Sequence, residues 1–407
     1  MNPPGRAGEG KENQMKRKVT ALVMAAIMAA SLAACGGSAS SVGAAESAGA
    51  ESAEAADAAA ETEEAAEAAE ESADAGEAAK DFSGESLVVG VWGGTWKEAF
   101  DEACVKPFEE KYGVTIEEEE MGDNVVAEVI AQVEQDIEGI DLAAGVGASD
   151  FGAYLGTKGA VKELDYSRMP NSAPLDDLAK TKYAVGMYIC AEAWVYDKEA
   201  FPNNPVGSEG FFDTSNTGDR SIRSWVGSGI LEQALLADGV AYEDLYPIDL
   251  DRAFAKLDTI KPYITKYWSS GAEIYQSILD KEVVAGEFWF SHANRAIRDG
   301  ANAYVSYQDA AKFADSFAMT ANTKHEDLAY EFMNFCLDPE VQANFSKLVG
   351  YAPINKEALP YLDEATQEEI SCMYQPYEEG GTFWADTDYW GENYESVSER
   401  YELWKAE

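Results

Sequence analysis

From Leu87 onward the chain alternates short unbroken apolar runs with stretches in which apolar residues return every three or four positions. Leu87-Val88-Val89-Gly90-Val91-Trp92 has the first form and ends in Gly93-Gly94, which predicts a buried strand closed by a turn. Trp96 to Tyr112 has the second form, with Phe100, Cys104 and Phe108 four apart, and predicts the helix that follows. Further strands are expected at Gly113 to Ile116, Ile140 to Ala144, Val283 to Trp289 and Ser316 to Met319, and a loop over Gly145 to Asp150. Helices are expected at Val125 to Val133, Leu231 to Ala237, Asp251 to Ile260, and from the Asp338-Pro339 start through Phe345. Strands alternating with helices are the signature of an α/β sheet that is largely parallel, and in such sheets ligands lie at the strand ends.

The pattern before residue 81 is different. Lys16-Arg17-Lys18 precedes the apolar run Val19 to Ala30, which is too short to span a bilayer and has the form of a secretion signal, with Met15 the expected start. The run ends in Leu32-Ala33-Ala34-Cys35-Gly36, which resembles the bacterial lipobox, where the cysteine takes diacylglycerol and becomes the new N-terminus. Cys35 is therefore the expected lipid attachment, and residues 1–35 the leader and lipoprotein signal peptide. Residues 36–80 are almost only Ala, Glu, Ser, Gly and Asp, with no means of burying a core, so they are expected to be a disordered, self-repelling acidic tether.

Residues 81–407 are long enough for two lobes of roughly 100–200 residues each. They hold 61 of the chain's 75 acids and 24 of its 30 bases, a formal charge of −37 that repels nucleic acid and draws cations by long-range attraction. Cys104, Cys190, Cys336 and Cys372 are too scattered for a zinc site or a redox motif; they leave disulfide pairings open, although Cys336, on the apolar face Leu328, Phe332, Phe335, reads as a buried thiol. Only His292 and His325 are available for acid-base work, and no Gly-x-Ser-x-Gly turn accompanies them. A phosphate-binding glycine loop is also missing, so neither a catalytic triad nor a resident metal or cofactor is expected. The acidic run Glu117 to Glu120 reads as a solvated strand edge rather than a catalytic carboxylate pair.

Several longer stretches resemble the spermidine/putrescine-type periplasmic solute-binding proteins that feed ABC importers. They are Val91-Trp92-Gly93-Gly94 with Pro107 to Gly113, Ala234 to Gly239 with Leu245 to Ala253, Trp268 to Ala272, Gly350 to Asn355, and Trp390 with Trp404. The resemblance implies a two-lobe periplasmic-binding-protein fold of the type II kind, with the ligand cleft between lobes joined by crossover strands. By that analogy lobe 1 holds residues 81–190 and 314–358, lobe 2 holds 191–313 and 359–407, and the hinge falls near Cys190 and Phe313. It also implies ligand contacts from Trp92, Trp289, Phe313 and Tyr351 as aromatic walls and from Asp315 as the carboxylate for an ammonium group. Ser149, Asp150 and Trp225 are added as candidates around them. A flexible cation needs such aromatic faces for its methylenes and carboxylates for its nitrogens.

One departure matters. Polyamine binders place two further acids where this chain has Trp225-Val226-Gly227-Ser228-Gly229, so one end of a polyamine loses its partner unless Asp150 substitutes. The alternative is a ligand with fewer positive charges, a monoamine or a zwitterion whose carboxylate meets Arg223. The resulting expectation is a monomeric extracytoplasmic lipoprotein, at the outer face of the cytoplasmic membrane or in the periplasm. It would capture a polyamine or related small organic cation and hand it to the permease and ATPase subunits of an importer, without acting as an enzyme. The same fold binding an amino-acid derivative, a ferric complex or a sugar remains open. So do an extracytoplasmic carboxylate-pair hydrolase and a lipoprotein that binds another protein.

Overall fold

The computed structural model describes residues 81–407 except Asp123 and Pro376, with the side chains of Ser149, Asp150 and Glu378 also outside the description. The leader, Cys35 and the tether 36–80 lie outside the described residues.

Among the described residues the predicted alternation becomes ten strands. They are β1 (Ser86–Val91), β2 (Thr115–Glu120), β3 (Leu142–Gly147), β4 (Val185–Asp197), β5 (Arg220–Arg223), β6 (Ile264–Trp268), β7 (Ala285–Trp289), β8 (Ala303–Met319), β9 (Ala352–Pro353) and β10 (Phe383–Trp384). The main path runs β2-β1-β3-β8-β4-β7-β5-β6, with β9 on β4 and β10 on β8. At one end β1 pairs in parallel with β2 and β3, and at the other β5 pairs in parallel with β6 and β7. Two strands of 13 and 17 residues, β4 and β8, run antiparallel through the middle and belong to both ends. A chain that forms one α/β lobe, crosses on β4, builds a second and returns on β8 gives the two-lobe architecture.

Each lobe has its own core for a local reason. The helical stretch from Thr95 to Tyr112 buries Phe100, Cys104 and Phe108, the residues four apart in sequence, and stops where Gly113 takes φ +66°. Phe108 meets Phe332 edge-on with ring centroids 4.9 Å apart, so the later helix Glu326–Cys336 closes the same core. In the other lobe Trp194, Ile222, Ile230, Leu231, Leu257, Trp390 and Tyr401 form a second buried cluster beneath the helix Ile230–Ala237. Leu362, Ile370 and Met373 pack with the first core, although analogy assigned residues 359–407 to the second lobe.

The sequence placed a loop at Gly145 to Asp150. In the structure β3 continues to Gly147 and a helical turn, Ala148–Tyr154, follows at once. Gly145 permits this with φ +70°; a Cβ there would meet the Trp96 ring at 2.5 Å. The strand expected at Gly113 to Ile116 also lies later, at Thr115–Glu120, so all four glutamates of the run stand on an edge strand of the sheet.

Candidate functional site

The middle of β4 and β8 sets out the site. Tyr188 stands opposite Asp315 and Cys190 opposite Phe313, so these four side chains share one face where the strands pass between the lobes. Glu192 is the next residue of β4 on that face, opposite Ala311. Four residues at about 3.3 Å each separate Tyr188 from Glu192, a span of about 13 Å.

At the first-lobe end, Tyr188 and Tyr351 stack with centroids 4.6 Å apart and 13° between planes. Trp96 donates its indole N–H to the Tyr188 hydroxyl at 3.0 Å. Burial pushes the Tyr188 phenol well up from its ordinary range, and the Asp315 carboxylate adds to this; Tyr351 is raised by burial too, with Asp315 among the smaller causes. Asp315, half-buried and paired across the ladder with Gly147 and Tyr188, therefore sits beside two buried phenols that stay neutral. Trp92 is half-buried at the end of β1 and donates to the Gly145 carbonyl at 2.6 Å, two residues before Gly147. The structure thus brings Trp92, Phe313, Asp315 and Tyr351 to one region. Ser149 and Asp150 come two and three residues after Gly147, with side chains outside the described residues.

The second-lobe end is built from indoles and buried charge. Trp289 lies edge-on to Trp268 at 4.9 Å and to Trp225 at 6.0 Å, and its other flank meets His292, 6.1 Å away. Trp268 is fully buried and serves as packing for the two half-buried rings. The Trp289 indole N–H is buried and has no acceptor. The imidazole of His292 lies 3.4 Å from the Tyr351 hydroxyl, linking the aromatic groups of the two lobes. Burial, with a smaller contribution from Arg295, pulls His292 down to about 4, so it is neutral at pH 7.

Behind Trp225 the guanidinium of Arg223 lies 5.0 Å from the Trp225 ring centre and forms an ion pair with Glu192. Arg223 Nε donates to the Trp225 carbonyl at 3.2 Å, and its backbone N–H faces a Glu287 oxygen at 3.4 Å. Both glutamates are fully buried. Burial drives the Glu192 carboxyl well above the usual range; Arg223 opposes that rise and the neighbouring Glu287 adds to it. Glu232 completes the cluster, accepting from Trp390 Nε1 at 2.6 Å, Tyr246 Oη at 2.7 Å and Gly229 N at 3.0 Å. The glycines of Trp225-Val226-Gly227-Ser228-Gly229 now have a reason. A Cβ on Gly227 would meet Arg223 Nη2 at 2.2 Å, and one on Gly229 would meet Glu192 Oε2 at 2.2 Å.

Sequence reasoning missed Tyr188, Glu192 and Glu287. The available signal was a charge inside an apolar strand run, because an acid amid Val185 to Tyr196 or Val283 to Trp289 is buried by its neighbours and needs a partner. Among the described residues no group of three or more His, Cys, Asp or Glu is arranged to hold a metal ion. Nor, among them, is any helix long and apolar enough to cross a membrane.

A site between two lobes, walled by aromatic rings, with an acid at one end and an arginine at the other, suits capture of a small polar molecule. Residues 103–370 match the family described as bacterial extracellular solute-binding protein. The chain belongs to that family. This solute-binding protein is 27% identical over 336 residues to the gamma-aminobutyric acid-binding protein of Pseudomonas aeruginosa, covering 79% of this chain and 91% of the relative. A 96-residue stretch is 40% identical to the putrescine-binding periplasmic protein of Escherichia coli, 23% of this chain and 25% of that one. Among solved structures, a gamma-aminobutyric acid receptor superposes with a TM-score of 0.72 at 30% identity, covering 79% of this chain and 97% of its own. The chain is a solute-binding protein of the kind that serves ABC transporters, in a family described as extracellular.

Proposed function

We propose that this protein captures a short ω-amino acid of the gamma-aminobutyric acid kind, holding the ammonium at Asp315 and the carboxylate at the Trp289 and Arg223 end, and passes it unchanged to the importer's permease and ATPase subunits. The observation that carries the reading is the polarity of the two ends. Asp315 places a carboxylate beside neutral phenols, whereas the opposite end presents the unpaired indole N–H of Trp289, with Arg223 behind Trp225 already ion-paired to Glu192. A diamine would set its second ammonium against donors. The span of about 13 Å between the ends fits a chain of a few methylenes with a hydrogen bond at each terminus. The gamma-aminobutyric acid relatives, matched over nearly their whole length, support the same reading.

Trp92, Phe313 and Tyr351 would line the methylenes, with Ser149 and Asp150 at the mouth on the first-lobe side. Lipid on Cys35 and the tether 36–80 would keep the monomeric protein close to the importer at the membrane's outer face. A diamine is the second reading, favoured by the local match to the putrescine-binding protein and by the three buried glutamates. Titration calorimetry with gamma-aminobutyric acid, putrescine and spermidine separates the two. Binding of the amino acid at least tenfold tighter than either amine supports the reading, and tighter binding of putrescine overturns it.

A further inference from the structure

Two helices of the first lobe's core meet near a pair of thiols that the ligand site does not use. Cys104 lies between Phe100 and Phe108 on the helical stretch 95–112, and Cys336 ends the helix Glu326–Cys336, one turn after Phe332. The two helices are locked in register by Phe108 on Phe332 at 4.9 Å and Phe100 on Phe332 at 5.9 Å. Each thiol is 1% exposed, and both line one internal void of about 10 Å³ together with Met187, Tyr188, Phe345 and Tyr351. Both are free, buried thiols in this structure. Two cysteines distant in sequence line one small void, on helices held together by ring contacts, in a chain of a family that works outside the cytoplasm, where thiols that meet are oxidised.

We propose that Cys104 and Cys336 are joined as a disulfide when the protein folds in an oxidising compartment. The chemistry is thiol-disulfide exchange. One thiolate attacks the disulfide of an exchange partner and expels a thiol, and the second thiolate then attacks the mixed disulfide and expels the other. The protein loses two electrons and two protons, and the partner's disulfide is reduced to two thiols. Burial of both sulfurs makes the folded pair slow to react, so the bond forms before the helices close over it and resists reduction afterwards. The link would tie the helix that carries Trp96 to the one that follows β8, directly behind the stacked Tyr188 and Tyr351.

The test uses the full chain, unfolded with denaturant and reductant and refolded in a buffer of oxidised and reduced glutathione. Remaining thiols are alkylated in denaturant, and the chain is digested with trypsin without reductant. The expected result is a cross-linked pair of peptides, Glu98 to Lys111 with His325 to Lys347, that separates on reduction. The oxidised form should also melt about 5 °C above the reduced one, a difference that Cys336→Ser abolishes. Recovery of Cys104 and Cys336 as alkylated thiols in folded protein, or cross-linking of either to Cys190 or Cys372, overturns the proposal. Neither result depends on which solute the cleft holds.

Discussion

Replacing Asp315 with asparagine removes a charge while keeping the side chain's shape. The residue sits in the ladder between Gly147 and Tyr188, half-buried, and adds to the rise that burial imposes on the Tyr188 and Tyr351 phenols. A charge-assisted hydrogen bond in such a place contributes about 1.5–3 kcal/mol, so Asp315→Asn should weaken binding of gamma-aminobutyric acid by about 10- to 150-fold. The ligand-free variant should fold normally, since asparagine keeps the side chain's shape and one acceptor oxygen. Calorimetry at two salt concentrations isolates the local effect. The general attraction from the −37 charge of residues 81–407 is screened beyond about 8 Å at physiological ionic strength, whereas a bond at Asp315 is not. Butyrate, which lacks the ammonium, is the control and should bind both proteins equally weakly. An unchanged Kd in a folded variant refutes the assignment of Asp315, and an equal loss for butyrate shows that the residue acts on the shape of the cleft instead.

Two further outcomes follow from the packing. Because the folded protein holds His292 down to about 4 while the unfolded chain titrates near 6.5, folding binds fewer protons there; the histidine's contribution is complete above pH 6.5 and is lost as pH falls toward 4. The difference is about 3 kcal/mol, and His292→Gln should flatten the fall of Tm between those pH values in thermal melts; an equally steep fall would place its cause elsewhere. The helix Thr387–Ala406, rooted in the second core by Trp390 and Tyr401, touches the turn Ala148–Tyr154 of the first lobe, where a Cβ on Gly391 would meet the Ala153 Cβ at 2.4 Å. Gly391→Val should therefore weaken ligand binding at least threefold in calorimetry while lowering the ligand-free Tm by no more than about 3 °C, and unchanged affinity would mean that this contact plays no part in closing the cleft.

What could be read from the sequence divides along physical lines. Apolar period alone located β1, β7 and the helices carrying Phe100 or Phe345, because burial of one face is a local property of the pattern. It gave only the last four residues of β8, since Ala303 to Asp315 mixes Tyr, Gln, Asp and Lys as a strand does when its surroundings change along its length. The aromatic and acidic positions of the first-lobe end came from family resemblance, which aligns residues and not their partners. Glu192 and Glu287 were illegible for that reason: their role depends on Arg223 and on the glycines at 227 and 229, brought over them by a different part of the chain. The missing acids of the Trp225 to Gly229 stretch are thus not replaced in sequence, but carboxylates stand behind it in space.

The edge strand β2 has a consequence for how the protein behaves at high local concentration. An outermost strand offers unpaired N–H and C=O groups to any neighbour, and copies at high concentration would meet edge to edge often. Glu117, Glu118, Glu119 and Glu120 put a charge on every one of its last four residues, so a second copy docking there must bring like charges together. The acidic run serves as protection against fibre growth. Neutralising it with glutamines would leave the cleft untouched while removing the barrier that keeps neighbouring copies apart.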